Sequence, residues 1–247
     1  MSKPLEIVLI FQSLLGIYGD QGNAKVLAQR ARWRGIEANI TSVEPGDALP
    51  DSGDIFVLGG GEDGAQTSAV KLLNADRGLH RAADRGSVVF AVCAGYQILG
   101  NSFGVGDADD IREGLGLLDV DSTRGEQRAV GEVLHSLIGV DGEDRWLTGF
   151  ENHGGVTSLG ADASPLAKVE YGIGNGDDGF EGAVQGSVIG TYPHGPILAR
   201  NPALADRLLE MALGHSLDPL TDKDVPGIAV HDDLRRRRLD FVRAQNR

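Results

Sequence analysis

An α/β fold with a doubly wound, mostly parallel sheet is predicted by three features of this 247-residue chain. Continuous apolar runs at residues 5–11, 54–58 and 88–92 read as strands buried on both faces. Helix-like segments separate them, the spacing of βαβ units. Beyond residue 130 the pattern changes to short, alternating, glycine-broken segments, which predict an added antiparallel portion.

Each element follows from its own residues. Residues 5–11 (LEIVLIF) form the first strand, and the polar loop Tyr18-Gly19-Asp20-Gln21-Gly22-Asn23 follows. Residues 23–34 read as a helix carrying Val26, Leu27, Arg30 and Trp33, capped by Asp20 or Asn23 and stopped at Gly35. Residues 36–40 and 54–58 are strands two and three. Residues 66–85 read as one helix with Val70, Leu72, Leu73 and Leu79 on its apolar side, broken at Gly86. Residues 88–92 are the fourth strand. Residues 104–131 are looser and polar. Antiparallel strands are expected at 130–138, 146–152, 167–171, 180–185 and 188–192, and a closing helix at 202–213. Residues 5–213 read as one domain. Residues 214–247 form a tail in which Asp232-Asp233 precede Arg235–Arg238, the charge order of a solvated helix or a partner-docking element.

Composition narrows the function classes. A net charge of −13 disfavours nucleic-acid partners. No stretch of about 18 apolar residues is present, so no membrane span is expected. The start Met1-Ser2-Lys3-Pro4 lacks a signal peptide's long apolar core. The single cysteine excludes an internal disulfide and fits a reducing, cytoplasmic setting.

That cysteine is the focus of the chemistry. Val88–Val92 runs directly into Cys93-Ala94-Gly95, and a helix-like segment begins at once. Small residues there allow a sharp strand-to-helix turn that lifts Cys93 above the sheet edge, exposed beside a helix N-terminus, where thiolate is favoured. The competing reading is a buried, inert cysteine. A nucleophilic thiol needs a base at the same edge. Of six histidines, His194 stands at the end of a strand-like run on the turn Pro193-His194-Gly195-Pro196; His153 is the runner-up. Thiolate attack on a carbonyl also needs fixed N–H donors, which the Gly59–Gly61 loop and the Ala94 amide can supply. The glycine loop is no phosphate loop, because no Gly-Lys-Ser/Thr follows.

Three stretches together, Gly59-Gly60-Gly61-Glu62-Asp63, Cys93-Ala94-Gly95-Tyr96-Gln97 and Tyr192-Pro193-His194-Gly195-Pro196, resemble the class I glutamine amidotransferases in their CobB/CobQ-like branch. The resemblance covers about residues 5–213 and implies a flavodoxin-like α/β fold. Tyr18–Asn23 and Gly149-Phe150-Glu151-Asn152-His153 narrow it to GatD-type glutaminase subunits of lipid II isoglutaminyl synthase. Such subunits release ammonia from L-glutamine for a MurT-like, ATP-using ligase partner, which amidates the α-carboxyl of stem-peptide D-glutamate in lipid II.

Carried onto this sequence, the resemblance implies Cys93 as nucleophile through a γ-glutamyl thioester, and His194 as base and then acid. It implies Gly60 and Ala94 as oxyanion donors, Arg128 as the ligand of the glutamine α-carboxylate with Arg124 as competitor, and Gln97 as a pocket-shaping residue. No cofactor is expected in this chain; ATP and magnesium belong to the partner, since no metal-ligand spacing occurs here. The chain begins at its first strand, so the ATP-using unit is expected in trans. One departure stands out. Many relatives carry His-Pro-Glu, whereas His194-Gly195-Pro196 has no acid two positions on. A Cys–His dyad, or an acid donated by the partner, is therefore expected, with the donated acid keeping the isolated chain idle. Another Cys–His hydrolase, a corrinoid amidotransferase subunit and a non-catalytic binding module remain the alternatives.

Overall fold

The computed structural model describes residues 3–106 and 110–245; Met1 and Ser2 of the leader reading and residues 107–109 of the polar stretch lie outside them. A first sheet contains β1 (Leu5–Ile10), β2 (Ala38–Val43), β3 (Ile55–Leu58), β4 (Val88–Val92), and the late strands β11 (Ala183–Gln185) and β12 (Val188–Thr191). Its order is β11-β12-β4-β3-β1-β2, and every neighbouring pair is parallel except β11 with β12.

The apolar runs are buried on both faces, as their lack of polar alternation requires. Val8, Ile10, Phe56, Leu58, Val89 and Ala91 pack on one side with Ala69, Val70 and Leu73 of α3 (Asp63–Asp76) and Leu79 of α4 (Gly78–Asp84). Ile7, Leu9, Ile55, Val57, Phe90 and Val92 face the other side. There they meet Leu27, Ala28 and Ala31 of α2 (Gly22–Trp33) and Leu204, Leu208 and Leu209 of α7 (Pro202–Leu213). This period-2 division of each strand is the doubly wound pattern.

A second sheet is built on β7 (Val120–Leu137), which pairs antiparallel with β8 (Trp146–Leu159) and β9 (Ala167–Tyr171) and parallel with β5 (Ser102–Gly104). The added portion is thus a sheet of its own. β6 (Ile111–Glu113) and β10 (Phe180–Glu181) complete it at the two edges. The terminal helix α8 (Ile228–Gln245), expected to be solvated, sets Leu239 and Val242 on Leu134, Trp146 and Tyr171 of this sheet. Its residues Val230, Leu234 and Phe241 remain exposed.

Several boundaries differ from the sequence reading, each for a local reason. The helix expected at 66–85 is broken at Arg77, which adopts a left-handed conformation with φ 57° and ends α3. The strand expected at 36–40 lies instead at β2. The strand at 188–192, expected antiparallel, is parallel to β4. From Val120 onward the polar stretch belongs to β7, whose outer face is solvated and tolerates its charges.

Candidate active site

The parallel pairing of β12 with β4 brings the site together. Their ladder continues to Cys93, whose amide donates to Thr191 O at 2.8 Å. Both chains leave the sheet at the same edge, one into Cys93 and α5 (Ala94–Leu99), the other into His194. Cys93 sits at φ 53°, ψ −110°, a conformation rare for a residue with a side chain and costing about 1–3 kcal/mol. The predicted elbow is there, but the thiol is only 7% exposed rather than open to solvent. Gly95 donates to Gly59 O at 3.1 Å and ties the elbow to the glycine loop.

His194 is held from both sides. Its backbone forms an isolated antiparallel bridge with Phe150 of β8, at 2.9 and 3.1 Å, so the second sheet carries it. Its Nδ1 lies 3.1 and 3.2 Å from the two Asp20 carboxylate oxygens. That contact fixes Nδ1 as the protonated nitrogen and turns Nε2 inward. Nε2 is buried and has no hydrogen-bond partner among the described residues. Burial opposes the imidazolium, but the Asp20 hydrogen bond, the Cys93 sulfur and the Asp20 charge outweigh it and push His194 up to about 10. Resting enzymes often hold such contacts open until substrate arrives.

Asp20 is the residue the sequence reading missed. The sequence offers it, beside Asn23, as a cap for α2, yet that helix has Gln21 at its N-cap and no side-chain cap bond. Asn23 does not cap it either; its Oδ1 accepts the Leu198 amide at 3.0 Å and anchors the segment after His194. Asp20 is fully buried and accepts the Gly60 amide at 3.0 Å. The acid absent from His194-Gly195-Pro196 is therefore supplied by this chain, 174 residues away. Two signals point to it in the sequence: an acid in a glycine-containing loop at the functional sheet edge, and that loop's place among the stretches that carry the family resemblance.

This same bond corrects the role expected of Gly60. Its N–H is committed to Asp20 Oδ2 and is not aimed at a substrate oxygen. Gly60 serves instead by close approach: a Cβ there would stand 2.7 Å from the Tyr18 ring and 2.9 Å from His194 Cε1. Gly61 and Ala94 line the cleft beside Cys93.

The cleft, of about 100 Å³, opens between this edge and the second sheet. β7 and β8 lose register between Arg124 and Ala129, where Arg124 pairs with Gly155 and Ala129 with His153. Bulges of this kind re-aim side chains beside functional sites. Here one brings Arg124 and Arg128 to the cleft. Arg124 pairs with Asp63 at 3.3 Å. Arg128 is held by a neutral residue, donating to Asn152 Oδ1 at 2.8 Å and Asn152 O at 3.2 Å. Among the described residues it has no carboxylate at ion-pair distance, which leaves it the better anion ligand of the two.

Gln97 lines the cleft and belongs to a buried relay. It accepts from Gln66 Nε2 at 2.7 Å and donates to the Tyr192 hydroxyl at 3.2 Å, which continues to Thr157 at 2.6 Å. His153 stacks on Tyr192 with centroids 3.7 Å apart and bonds Gly155 O through Nδ1, so it shapes the floor. His80 and His135 are buried elsewhere, and His215 and His231 are in the tail. Among the described residues, no group of three or more His, Cys, Asp or Glu could hold a metal ion, and no helix is long and apolar enough to cross a membrane.

The family model of the CobB/CobQ-like glutamine amidotransferase domain matches residues 6–202. The chain belongs to that family. This amidotransferase is 35% identical to the GatD subunit of the glutamine-hydrolysing lipid II isoglutaminyl synthase of Staphylococcus aureus strain N315, over 90% of this chain and 89% of that one. It is 34% identical to the GatD subunit of Streptococcus pneumoniae strain R6, over 85% and 80%. The cobyric acid synthase of Limosilactobacillus reuteri is more distant, at 29%, and the amidotransferase spans 44% of its length. Among solved structures, PurLQS of Thermotoga maritima has a TM-score of 0.61 at 15% identity, covering 86% of this chain and 99% of that one. That likeness speaks to the fold. The enzyme is a glutamine-hydrolysing amidotransferase subunit.

Proposed function

We propose that this chain is the glutaminase subunit of a lipid II isoglutaminyl synthase, acting in the cytoplasm with a MurT-like ligase. Cys93 attacks the side-chain amide carbon of L-glutamine, and its proton is held by His194 Nε2 while Asp20 steadies Nδ1. The oxyanion is met by the Ala94 amide with a second donor from the Gly61 side of the loop. The tetrahedral adduct collapses to a γ-glutamyl thioester as His194 gives its proton to departing ammonia. Water then attacks the thioester, with His194 again taking a proton, and glutamate leaves. Arg128 holds the glutamine α-carboxylate through its planar guanidinium, and Gln97 packs beside the thiol. ATP and magnesium act on the partner, which activates the stem-peptide D-glutamate α-carboxyl and receives the ammonia.

The observation that carries this reading is the convergence of Cys93, His194 and Asp20 at one sheet edge beside an uncompensated Arg128. It is tested by assaying ammonia release from the chain alone and with its co-expressed ligase partner, together with ATP-dependent amidation of lipid II. Because Asp20 is its own, the isolated chain should already release ammonia, while amidation from glutamine should need both chains. Amidation that proceeds from glutamine without this chain would refute the assignment.

The role of Arg128 gives a separate expectation. A guanidinium–carboxylate contact remote from the reacting amide contributes equally to ground and transition states. Arg128→Gln should therefore raise KM for glutamine about 10–100-fold with kcat nearly unchanged. The same change in Arg124 should have a smaller effect, since Asp63 already occupies it.

A further inference from the structure

The loop between α1 (Gln12–Leu15) and α2 delivers two side chains to the site, and the reaction described above uses one of them. Tyr18 is the other. Its ring lies against the His194 imidazole, with centroids 4.7 Å apart and planes tilted by 40°. Tyr18 and Arg128 line the same cleft; burial raises the Tyr18 hydroxyl above its ordinary range and the Arg128 charge acts against that rise. The Gly60 backbone closes the remaining side, where a methyl group would strike both rings. Asp20 restrains one edge of the imidazole and the Phe150 bridge restrains its backbone. The exposed face of the ring is what Tyr18 covers, and Tyr18 forms part of the cleft wall in doing so.

We propose that Tyr18 is a positioning residue for both halves of the glutamine site: its ring keeps the His194 imidazole aligned between Asp20 and Cys93, and its hydroxyl holds Arg128 in place. One side chain thereby couples the base to the carboxylate clamp. The inference rests on the glutaminase reading, because Arg128 has a substrate to hold only if glutamine enters the cleft. The physical basis is simple. Offset ring contacts are directional, a hydroxyl bonded to a guanidinium is charge-assisted, and small displacements of reacting groups reduce rate steeply.

Two substitutions separate the halves. Tyr18→Phe removes only the hydroxyl, and Tyr18→Leu also removes the ring. Steady-state ammonia release by the full chain with its ligase partner gives kcat and KM for each. Alkylation of Cys93 by 6-diazo-5-oxo-L-norleucine gives an independent binding constant and a maximal rate. Tyr18→Phe should keep kcat within about twofold and raise KM about 3–10-fold. Tyr18→Leu should lower kcat and the maximal alkylation rate about 10–100-fold. Retention of kcat by Tyr18→Phe is the conservative rescue that a merely structural loss would not show. Equal kcat losses in both variants, or wild-type values in Tyr18→Leu, would overturn the proposal. If Tyr18→Leu does not fold, the Tyr18→Phe split decides alone, and an unchanged KM counts against it. A wild-type complex that releases no ammonia would refute the glutaminase reading itself, which these variant ratios do not address.

Discussion

Cys93→Ala is expected to lower glutamine hydrolysis by about 10⁴-fold or more while leaving glutamine binding intact. Both parts follow from the geometry. In the proposed reaction the thiol forms the only covalent bond to substrate, and removing the nucleophile of such a unit abolishes nearly all the catalysis that the unit provides together. Arg128 lies on β7 and keeps its Asn152 contact, and Gln97 keeps its side-chain bond to Tyr192. The variant also relieves the elbow little, because alanine at φ 53° carries the same steric burden as cysteine. Isothermal titration with glutamine beside an ammonia assay separates the two statements. Residual hydrolysis within tenfold of wild type would mean that another group attacks the amide.

Asp20→Asn should lower kcat about 10²–10⁴-fold, the range seen when the acid of a comparable triad is replaced. Asp20 holds the tautomer of His194 and stabilises its positive form, at 3.1 Å with no solvent between them. Asparagine can present its amide nitrogen to Nδ1, which then favours the wrong tautomer. The pH dependence supplies a second signature. His194 is raised to about 10 in the wild type, so its imidazolium persists through neutral pH and is lost only as pH rises through that value. Removing the carboxylate takes away a stabiliser of the charged form. The alkaline limb of kcat/KM should therefore move to lower pH, by about a unit or more. A variant with wild-type kcat and an unmoved limb would return the acid's role to another group, including one on the partner.

The meeting of Cys93 and His194 at one sheet edge is legible in the sequence because both are loop residues at the ends of apolar runs. Buried parallel strands align such ends whatever their separation in the chain. Asp20 was equally visible as a residue but not as an acid. An aspartate before a helix is chemically sensible as a cap, and only the tertiary pairing of the first loop with β3 and β12 turns it toward His194. Gly60 shows the complementary limit: its free N–H was legible, whereas the carboxylate that takes it was not. Arg128 is preferred over Arg124 by resemblance alone, and the Asp63 ion pair that gives a physical reason for that order has no mark in the sequence. The polar half of β7 escaped notice because a solvated, bulged strand lacks the apolar alternation by which strands are recognised. The break at Arg77 was hidden because arginine favours helix and carries no mark of a left-handed turn.

The insertion of β12 beside β4 has a consequence for the order in which the protein is made. Asp20 leaves the ribosome 174 residues ahead of His194, the residue it contacts in the folded chain. The nucleophile's strand is also complete long before its neighbour exists. A nascent chain can pair β1, β2, β3 and β4 as they emerge, yet it carries a thiol without a proton acceptor until β12 slots into place. In the proposed reaction hydrolytic competence therefore waits for β12 and the segment after it, and chains that stop short of His194 should not hydrolyse glutamine.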